Sequence, residues 1–254
     1  MRKLIGTLAP LAVLAALFAA TAHGRPAATF KYCTDPSFPP MESATPSGKI
    51  IGFDVDMAAA LAKTWGDTAA PSKTGFGGLL PALNASKCNA VISGIFVTGD
   101  RKKQAGVVPY MHTHRVLIVR AGNPKGITSP FKLEGKVVAV QGATKYEEYL
   151  KGLQKKIKFT LQSYPGDTDA VAQVLLGRAD AVLTQDTSFA YQAKQHPGKI
   201  AVGYTFAASD QFGIYFRKGD DVGAQILAGV KQLRSNGTLA RLAAKYKIPV
   251  STVK

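Results

Sequence analysis

One arginine stands out by its setting. Arg101 lies eight residues after Ser93 and directly follows Thr98-Gly99-Asp100. Thr98 or Asp100 is placed to cap a helix that Arg101 enters in its first turn. A guanidinium there offers a planar fork of donors that grips a carboxylate through two parallel hydrogen bonds. The same residue, followed by Lys102 and Lys103, also fits a solvated basic face. A second anion-directed feature is Gln141-Gly142-Ala143-Thr144, a turn that opens a helix, where unpaired N–H groups favour negative charge. Lys145 follows and either adds to that charge or points to solvent. The acids available for proton transfer are Asp35, Glu147 and Asp186, and none stands in a recognisable catalytic motif. His112 and His114 form an H-x-H pair with no further ligand nearby in sequence, so neither a metal nor a cofactor is expected.

These residues need elements to hold them. Residues 29–34 read as a strand, ended by the Pro-rich loop Asp35-Pro36-Ser37-Phe38-Pro39-Pro40. Residues 55–65 carry apolar side chains at a period close to 3.6 and read as a helix, with Asp54 at its N-cap. A helix starts at residue 79, and residues 90–93 and 116–119 read as strands. The alternation then restarts. Strands are expected at 136–140, 159–162, 181–183, 200–202 and 213–216, and helices at 145–153, 169–176 and 187–194. Two helices close the chain, 222–234 and 238–246, separated by Asn236-Gly237, a helix-stop pair. Alternating strands and helices imply parallel sheets covered by helices. Two successive sets imply two α/β lobes whose strand-end loops face one cleft.

Length and charge bound the rest. The chain has 254 residues, 32 basic against 16 acidic, a net +16, with 46% hydrophobic residues. Disorder, collagen and coiled coil are excluded as overall descriptions. Met1-Arg2-Lys3, the apolar run of residues 11–20 and Ala20-Thr21-Ala22 have the layout of a secretory signal peptide. Cleavage after Ala22 removes Arg2 and Lys3 from the 32 basic residues, leaving 30 against 16. Export to the periplasm argues against nucleic acid as a partner despite the charge. Two cysteines, Cys33 and Cys88, are too few to close a structural zinc site, and an oxidising compartment permits a bond between them.

Four segments carry a family likeness: Thr34-Asp35-Pro36-Ser37-Phe38-Pro39-Pro40-Met41; Gly52-Phe53-Asp54-Val55-Asp56-Met57; Gly78 to Leu83 through Val91-Ile92-Ser93-Gly94 to Thr98-Gly99-Asp100-Arg101; and Ser235-Asn236-Gly237-Thr238-Leu239 with Lys245-Tyr246. In order and spacing the chain resembles the bacterial extracellular solute-binding proteins of polar amino-acid ABC importers. The resemblance implies an α/β fold of two lobes, each a mostly parallel sheet flanked by helices, joined by two crossover strands. Lobe 1 would comprise residues 23–110 plus 211–254 and lobe 2 residues 111–210. It implies that Arg101 holds a ligand carboxylate, that Phe38 and Phe76 wall the ligand, that Ser93 and Gly94 meet its head group and that Thr144 adds contacts from lobe 2. Asp35 either caps nearby backbone or faces the cleft. The implied partners are a small carboxylate-bearing ligand, an amino acid or derivative, and an ABC permease, with the protein monomeric.

The chain also departs from that pattern. Where relatives place an Asp that holds an α-ammonium, position 185 is Gln and Asp186 comes next. Either Asp186 takes the role or no carboxylate does. Phe96 stands where many members have a small hydroxyl residue, which shrinks the pocket or adds an apolar wall. In the family the strands ending near Asp35 and Ser93 are level, which offsets Cys33 from Cys88 by about three residues, ~10 Å, beyond the reach of a disulfide. Two other functions are carried alongside: a cleft enzyme resembling cyclohexadienyl or arogenate dehydratases, which requires a cleft acid of raised pKa, and a transport-free partner of a quinoprotein dehydrogenase.

Overall fold

The structure is a computed structural model and describes residues 26–254. The expected signal peptide lies outside the described residues. Strand β1 (Thr29–Thr34) is followed by a small antiparallel sheet of β2 (Ser37–Phe38), β3 (Glu42–Ala44) and β4 (Ile50–Ile51). Helix α1 (Phe53–Lys63) buries Phe53, Met57, Ala58, Leu61 and Ala62, the 3.6-period stripe of the sequence. Its N-cap is Gly52 rather than Asp54. Gly52 sits at φ +144°, and a Cβ there would lie 2.1 Å from the Met41 carbonyl oxygen, so only glycine lets the chain turn into the helix at this point. The helix therefore starts earlier than expected, and Asp54 becomes a buried first-turn residue. Strand β5 (Thr68–Lys73) has no readable β pattern and contains Pro71. It is tolerated because it lies at the sheet edge, paired only with β1.

Helix α2 (Leu79–Asn84), β6 (Ala90–Val91) and α3 (Gly99–Gln104) complete the first α/β set. Strand β7 (Gly106–Arg120) then runs for 15 residues. The second set is β8 (Val137–Gln141), α4 (Lys145–Leu153), β9 (Thr160–Tyr164), α5 (Asp167–Leu175), β10 (Ala181–Gln185) and α6 (Asp186–Gln195). The segments expected at 200–202 and 213–216 are the two ends of one long strand, β11 (Ile200–Phe216). Helices α7 (Val222–Ser235) and α8 (Thr238–Lys245) follow, with Gly237 at φ +74° between them.

The main sheet has the order β5-β1-β6-β11-β7-β10-β8-β9. Its middle is the antiparallel pair β7–β11, which pairs Met111 with Phe212 and Asp210 with Thr113. On one side hang the parallel strands β6, β1 and β5, and on the other β10, β8 and β9, whose mutual pairings are parallel. Two α/β lobes thus share two long strands that pass between them. The C-terminal segment returns to the first lobe: Lys245 Nζ and the Tyr246 hydroxyl both bond Asp56 of α1, at 2.5 and 2.7 Å.

The cysteines overturn the expectation of no bond. Cys33 and Cys88 are joined by a disulfide with a Cα separation of 5.7 Å. The strands are level as expected, since Cys33 pairs with Val91 and the Asp35 N–H donates to Ser93 Oγ at 2.8 Å. The three-residue offset does not set the distance because Cys88 lies outside the strand. Strand β6 begins only at Ala90, and the turn before it carries Ser86 at φ +57°. The Asn89 N–H donates to the Lys31 carbonyl, and Arg217 holds the carbonyls of Leu83 and Cys88. This folds Cys88 over the sheet face, into the layer of Leu79, Leu83, Val91 and Cys33.

Candidate functional site

The carboxyl ends of β1, β6 and β8 meet between the lobes, the position ligands take in open α/β sheets. The cleft there is nearly closed, with a cavity volume of ≈ 10 Å³, and it gathers Asp35, Phe38, Phe76, Ser93, Gly94, Phe96, Arg101 and Thr144. Glu42, Gln141, Lys145 and Tyr146 complete its lining.

Arg101 is 9% exposed. Thr98, the N-cap of α3, accepts the Arg101 N–H at 3.3 Å and so fixes the turn that carries it. The side chain folds inward. One Nη1–H donates to the Phe96 carbonyl at 3.1 Å, and the guanidinium lies 5.6 Å from the centre of the Phe76 ring. No carboxylate forms an ion pair with it among the described residues. Burial lowers its pKa, and the nearby Tyr215, Tyr146 and Glu148 oppose that shift without reversing it. A buried cation without a counter-ion is costly, and an anion entering the cleft would relieve that cost.

Opposite it stands the start of α4. Thr144 caps the helix by accepting the Glu147 N–H at 3.2 Å and donates its own hydroxyl to the Gln141 carbonyl at 2.7 Å. Its hydroxyl is therefore committed to the turn, and what the turn offers a ligand is backbone N–H groups. Lys145 bridges the lobes, reaching Asp100 at 3.3 Å and Glu148 at 2.6 Å. The lobes also touch where Gln141 Nε2 donates to Asp35 Oδ2 at 2.9 Å and where the Thr168 hydroxyl donates to the Ser37 carbonyl at 2.9 Å.

The apolar walls are aromatic. Phe96 stacks on Phe212 at 5.7 Å and meets Tyr146 of the other lobe edge-on at 5.2 Å. Phe38 meets Phe212 edge-on at 6.0 Å. Gly94, at φ +48°, makes room for it, since a Cβ there would lie 2.7 Å from the Phe38 ring.

Behind the cleft lies a pair of buried acids that sequence reasoning missed in one case and misplaced in the other. Glu42 Oε1 accepts the Ser93 hydroxyl at 2.9 Å. Asp54 accepts the Tyr110 hydroxyl at 2.7 and 2.9 Å and the Gly94 N–H at 2.7 Å. Burial pushes Asp54 up to about 6, and burial together with Asp54 raises Glu42 well above the carboxylate range. Nothing in the sequence around Glu42 marked it, because its role depends on a contact with Asp54, twelve residues away. Tyr146 was hidden in a helix pattern in the same way.

Two expected site residues are not in this cleft. Gln185 is fully buried, its side-chain amide 3.1 Å from the Thr113 hydroxyl. Asp186 turns to the crossover strand instead: Thr113 donates to it at 2.6 Å and the His114 N–H at 3.1 Å. Its free surface lines a separate groove with Pro39, Tyr191 and Tyr246. Of the acids weighed for catalysis, Asp35 is raised by burial, against hydrogen bonds from Ser37, Gln141 and the Phe76 N–H. Glu147 is lowered, because Ser163, Lys151 and the Ala143 N–H outweigh its partial burial.

Comparison with known proteins agrees with this geometry. The chain is 28% identical over 212 residues to the L-cystine-binding protein TcyJ of Escherichia coli, covering 83% of this chain and 79% of that protein. An ancestral arginine-binding protein bound to arginine superposes with a TM-score of 0.81 at 29% identity, covering 86% of this chain and 97% of that one. An ancestral amino acid-binding protein, a precursor of cyclohexadienyl dehydratase, gives 0.79 at 31% identity, covering 86% and 95%. The family model of the bacterial extracellular solute-binding proteins, family 3, matches residues 30–248. With that match over nearly all of the described chain, and its strand-end cleft between two lobes, the protein belongs to the bacterial extracellular solute-binding proteins, family 3.

Proposed function

We propose that this protein captures a small carboxylate-bearing solute, an amino acid or derivative, in the interlobe cleft and delivers it to an ABC permease from the periplasm. The observation that carries this reading is Arg101, a buried guanidinium with no carboxylate partner that faces the first turn of α4. In this reading lobe 1 is residues 23–110 plus 211–254 and lobe 2 residues 111–210. The ligand-binding set is Asp35, Phe38, Phe76, Ser93, Gly94, Phe96, Arg101 and Thr144, to which Glu42, Gln141, Lys145 and Tyr146 are added. Gln185 and Asp186 drop out of direct contact. No bond is broken; selectivity comes from Arg101, the aromatic walls and lobe closure. The mature protein acts as an exported monomer.

A thermal-shift screen of amino acids and organic acids tests it, because a bound ligand stabilises by mass action, about 2.7 kcal/mol at a hundred times Kd. Arg101→Ala should weaken the best binder at least thirtyfold, about 2 kcal/mol. Unchanged affinity in calorimetry would show that the carboxylate sits elsewhere.

A second reading rests on Glu42, a cleft-lining acid of raised pKa, the feature a general acid needs. Its oxygen already serves Ser93, and its other oxygen is buried, so binding is preferred. Turnover of prephenate or arogenate by the purified protein would reverse that preference.

A further inference from the structure

The charge of this protein is not spread evenly. In the second lobe the strand ladders bring one set of strand ends level: Ala181 pairs with both Val138 and Val119, Ile200 with Arg120, and Val137 with Thr160. The amino ends of β8, β9, β10 and β11 and the carboxyl end of β7 therefore share one pole. The cleft lies at the opposite end of these strands, where Gln141 closes β8. The connections at the pole are residues 120–136, 154–159, 176–180 and 196–199. They carry nine Lys and Arg residues against two acids, Glu134 and Asp180, a net +7. The whole chain after residue 22 carries 30 basic residues against 16 acidic, a net +14, so half of the excess is gathered here.

These cations are uncompensated. All but Lys136 are exposed, and none forms an ion pair with a carboxylate among the described residues. Asp180 is occupied within the sheet, where its Oδ2 accepts the Val137 N–H at 2.9 Å. Like charges gathered at one pole repel, and an anionic surface relieves that repulsion. The same connections hold the two most exposed large apolar side chains among the described residues, Phe131 at 58% and Leu176 at 62%. A Cβ on Gly177 would lie 3.4 Å from Arg120 Nη1, so that guanidinium sits against the turn that presents Leu176. Seven of the nine cations are lysines. A lysine is a point charge on a flexible stem and suits anions with no fixed position, whereas one bound anion calls for a fixed fork of donors. Exposed apolar side chains among lysines form the paired signal of a membrane-interface surface: lipid headgroups meet the cations and the acyl boundary takes the apolar groups. No described helix is long and apolar enough to cross a membrane, so the described helices offer only peripheral contact.

We propose that this pole of lobe 2 is a docking surface for an anionic phospholipid bilayer, with Phe131 and Leu176 entering the headgroup layer between the lysines. Docked in this way, the protein keeps its cleft turned away from the lipid. The inference goes beyond solute capture and does not depend on which solute the cleft takes.

The test is flotation of the mature protein with phosphatidylcholine vesicles, with and without phosphatidylglycerol, at low and high salt. Binding should require phosphatidylglycerol and weaken as salt rises. The combined variant Lys132→Gln, Lys155→Gln, Lys156→Gln and Lys158→Gln should lower partitioning about tenfold or more. The charge-matched control Lys49→Gln, Lys63→Gln, Lys87→Gln and Lys231→Gln, at exposed positions of lobe 1, should change it by less than about twofold. Phe131→Ser with Leu176→Ser should weaken the binding that persists at high salt. Melting temperatures equal to the parent's verify that the variants fold. Equal losses in the two lysine variants would reduce the effect to net charge and overturn the proposal, as would failure of the parent to bind the anionic vesicles. Binding to poly-L-glutamate as tight as to those vesicles, and unmoved by the Phe131 and Leu176 changes, would overturn it by assigning the face to an acidic polypeptide.

Discussion

At the scale of single residues, the site is governed by what each polar atom has already been given. Ser93 and Thr144 are hydroxyl residues at strand and helix ends, and both spend their protons on the protein, on Glu42 and on the Gln141 carbonyl. Arg101 spends little, which is why it dominates the site's chemistry. Glu42 shows how burial changes a residue's meaning. A carboxylate in water is an acceptor and an anion; buried beside Asp54 it is a proton carrier. This has a consequence for pH. Both acids titrate above their unfolded values, Asp54 at about 6 and Glu42 well above the usual carboxylate range, so the native state holds protons the unfolded chain has released. Their favourable contribution is complete below about pH 4 and is lost as pH rises through the folded values. Glu42→Gln, which imitates the protonated acid, should therefore lose less stability between pH 5 and pH 8 than the parent. Urea unfolding midpoints at the two pH values measure this; equal losses would mean that Glu42 is ionised in the native protein.

At the scale of elements, short pieces of structure hold the chemistry. Helix α3 has six residues, too short to be stable by itself, and depends on its Thr98 cap and on packing to hold Arg101. Strand β6, which ends just before Ser93, has two. The disulfide tethers the turn that feeds β6 to strand β1 and closes a loop of 55 residues. By chain entropy such a loop is worth up to about 4 kcal/mol. Reduction, or Cys33→Ser with Cys88→Ser, should lower the melting temperature markedly and cut the unfolding free energy measured in urea by up to about 4 kcal/mol. A variant as stable as the parent would show that the layer of Leu79, Leu83 and Val91 holds this turn without the bond.

At the scale of the whole molecule, two long strands carry the relation between lobes, and the lobes meet through few polar contacts. Gln141 to Asp35, Thr168 to Ser37 and Lys145 to Asp100 span the cleft, with Phe96 against Tyr146 as the apolar contact. These contacts are few, and Lys145 to Asp100 and Thr168 to Ser37 lie at exposed sites, so the balance between open and closed forms is small and a ligand can tip it. Gln141→Ala combined with Thr168→Val should open the unliganded protein, read as a larger radius of gyration in small-angle X-ray scattering. A radius equal to the parent's would assign closure to the aromatic contact. The pair β7–β11 also explains why the sequence showed two short strands at 200–202 and 213–216. Between them Thr205, Ala207, Ala208 and Ser209 are exposed and the ladder slips between Thr205 and Ser209, so the strand pattern breaks there although the two ends belong to one strand.

The sequence alone determined the alternation of strands and helices, hence the α/β class. The order of four motifs with their spacing determined the family likeness and most of the residues that line the cleft. Those signals are local: a periodicity, a cap, a Pro-bounded loop, a helix-stop pair. What only the tertiary structure decided was contact between distant segments. It bonded Cys33 to Cys88 through a turn that strand arithmetic cannot foresee, set Glu42 against Asp54, turned Asp186 away to Thr113 and buried Gln185. The physical reason is that a residue type states which hydrogen bonds and charges a side chain can offer, while folding decides which of them the protein has already used.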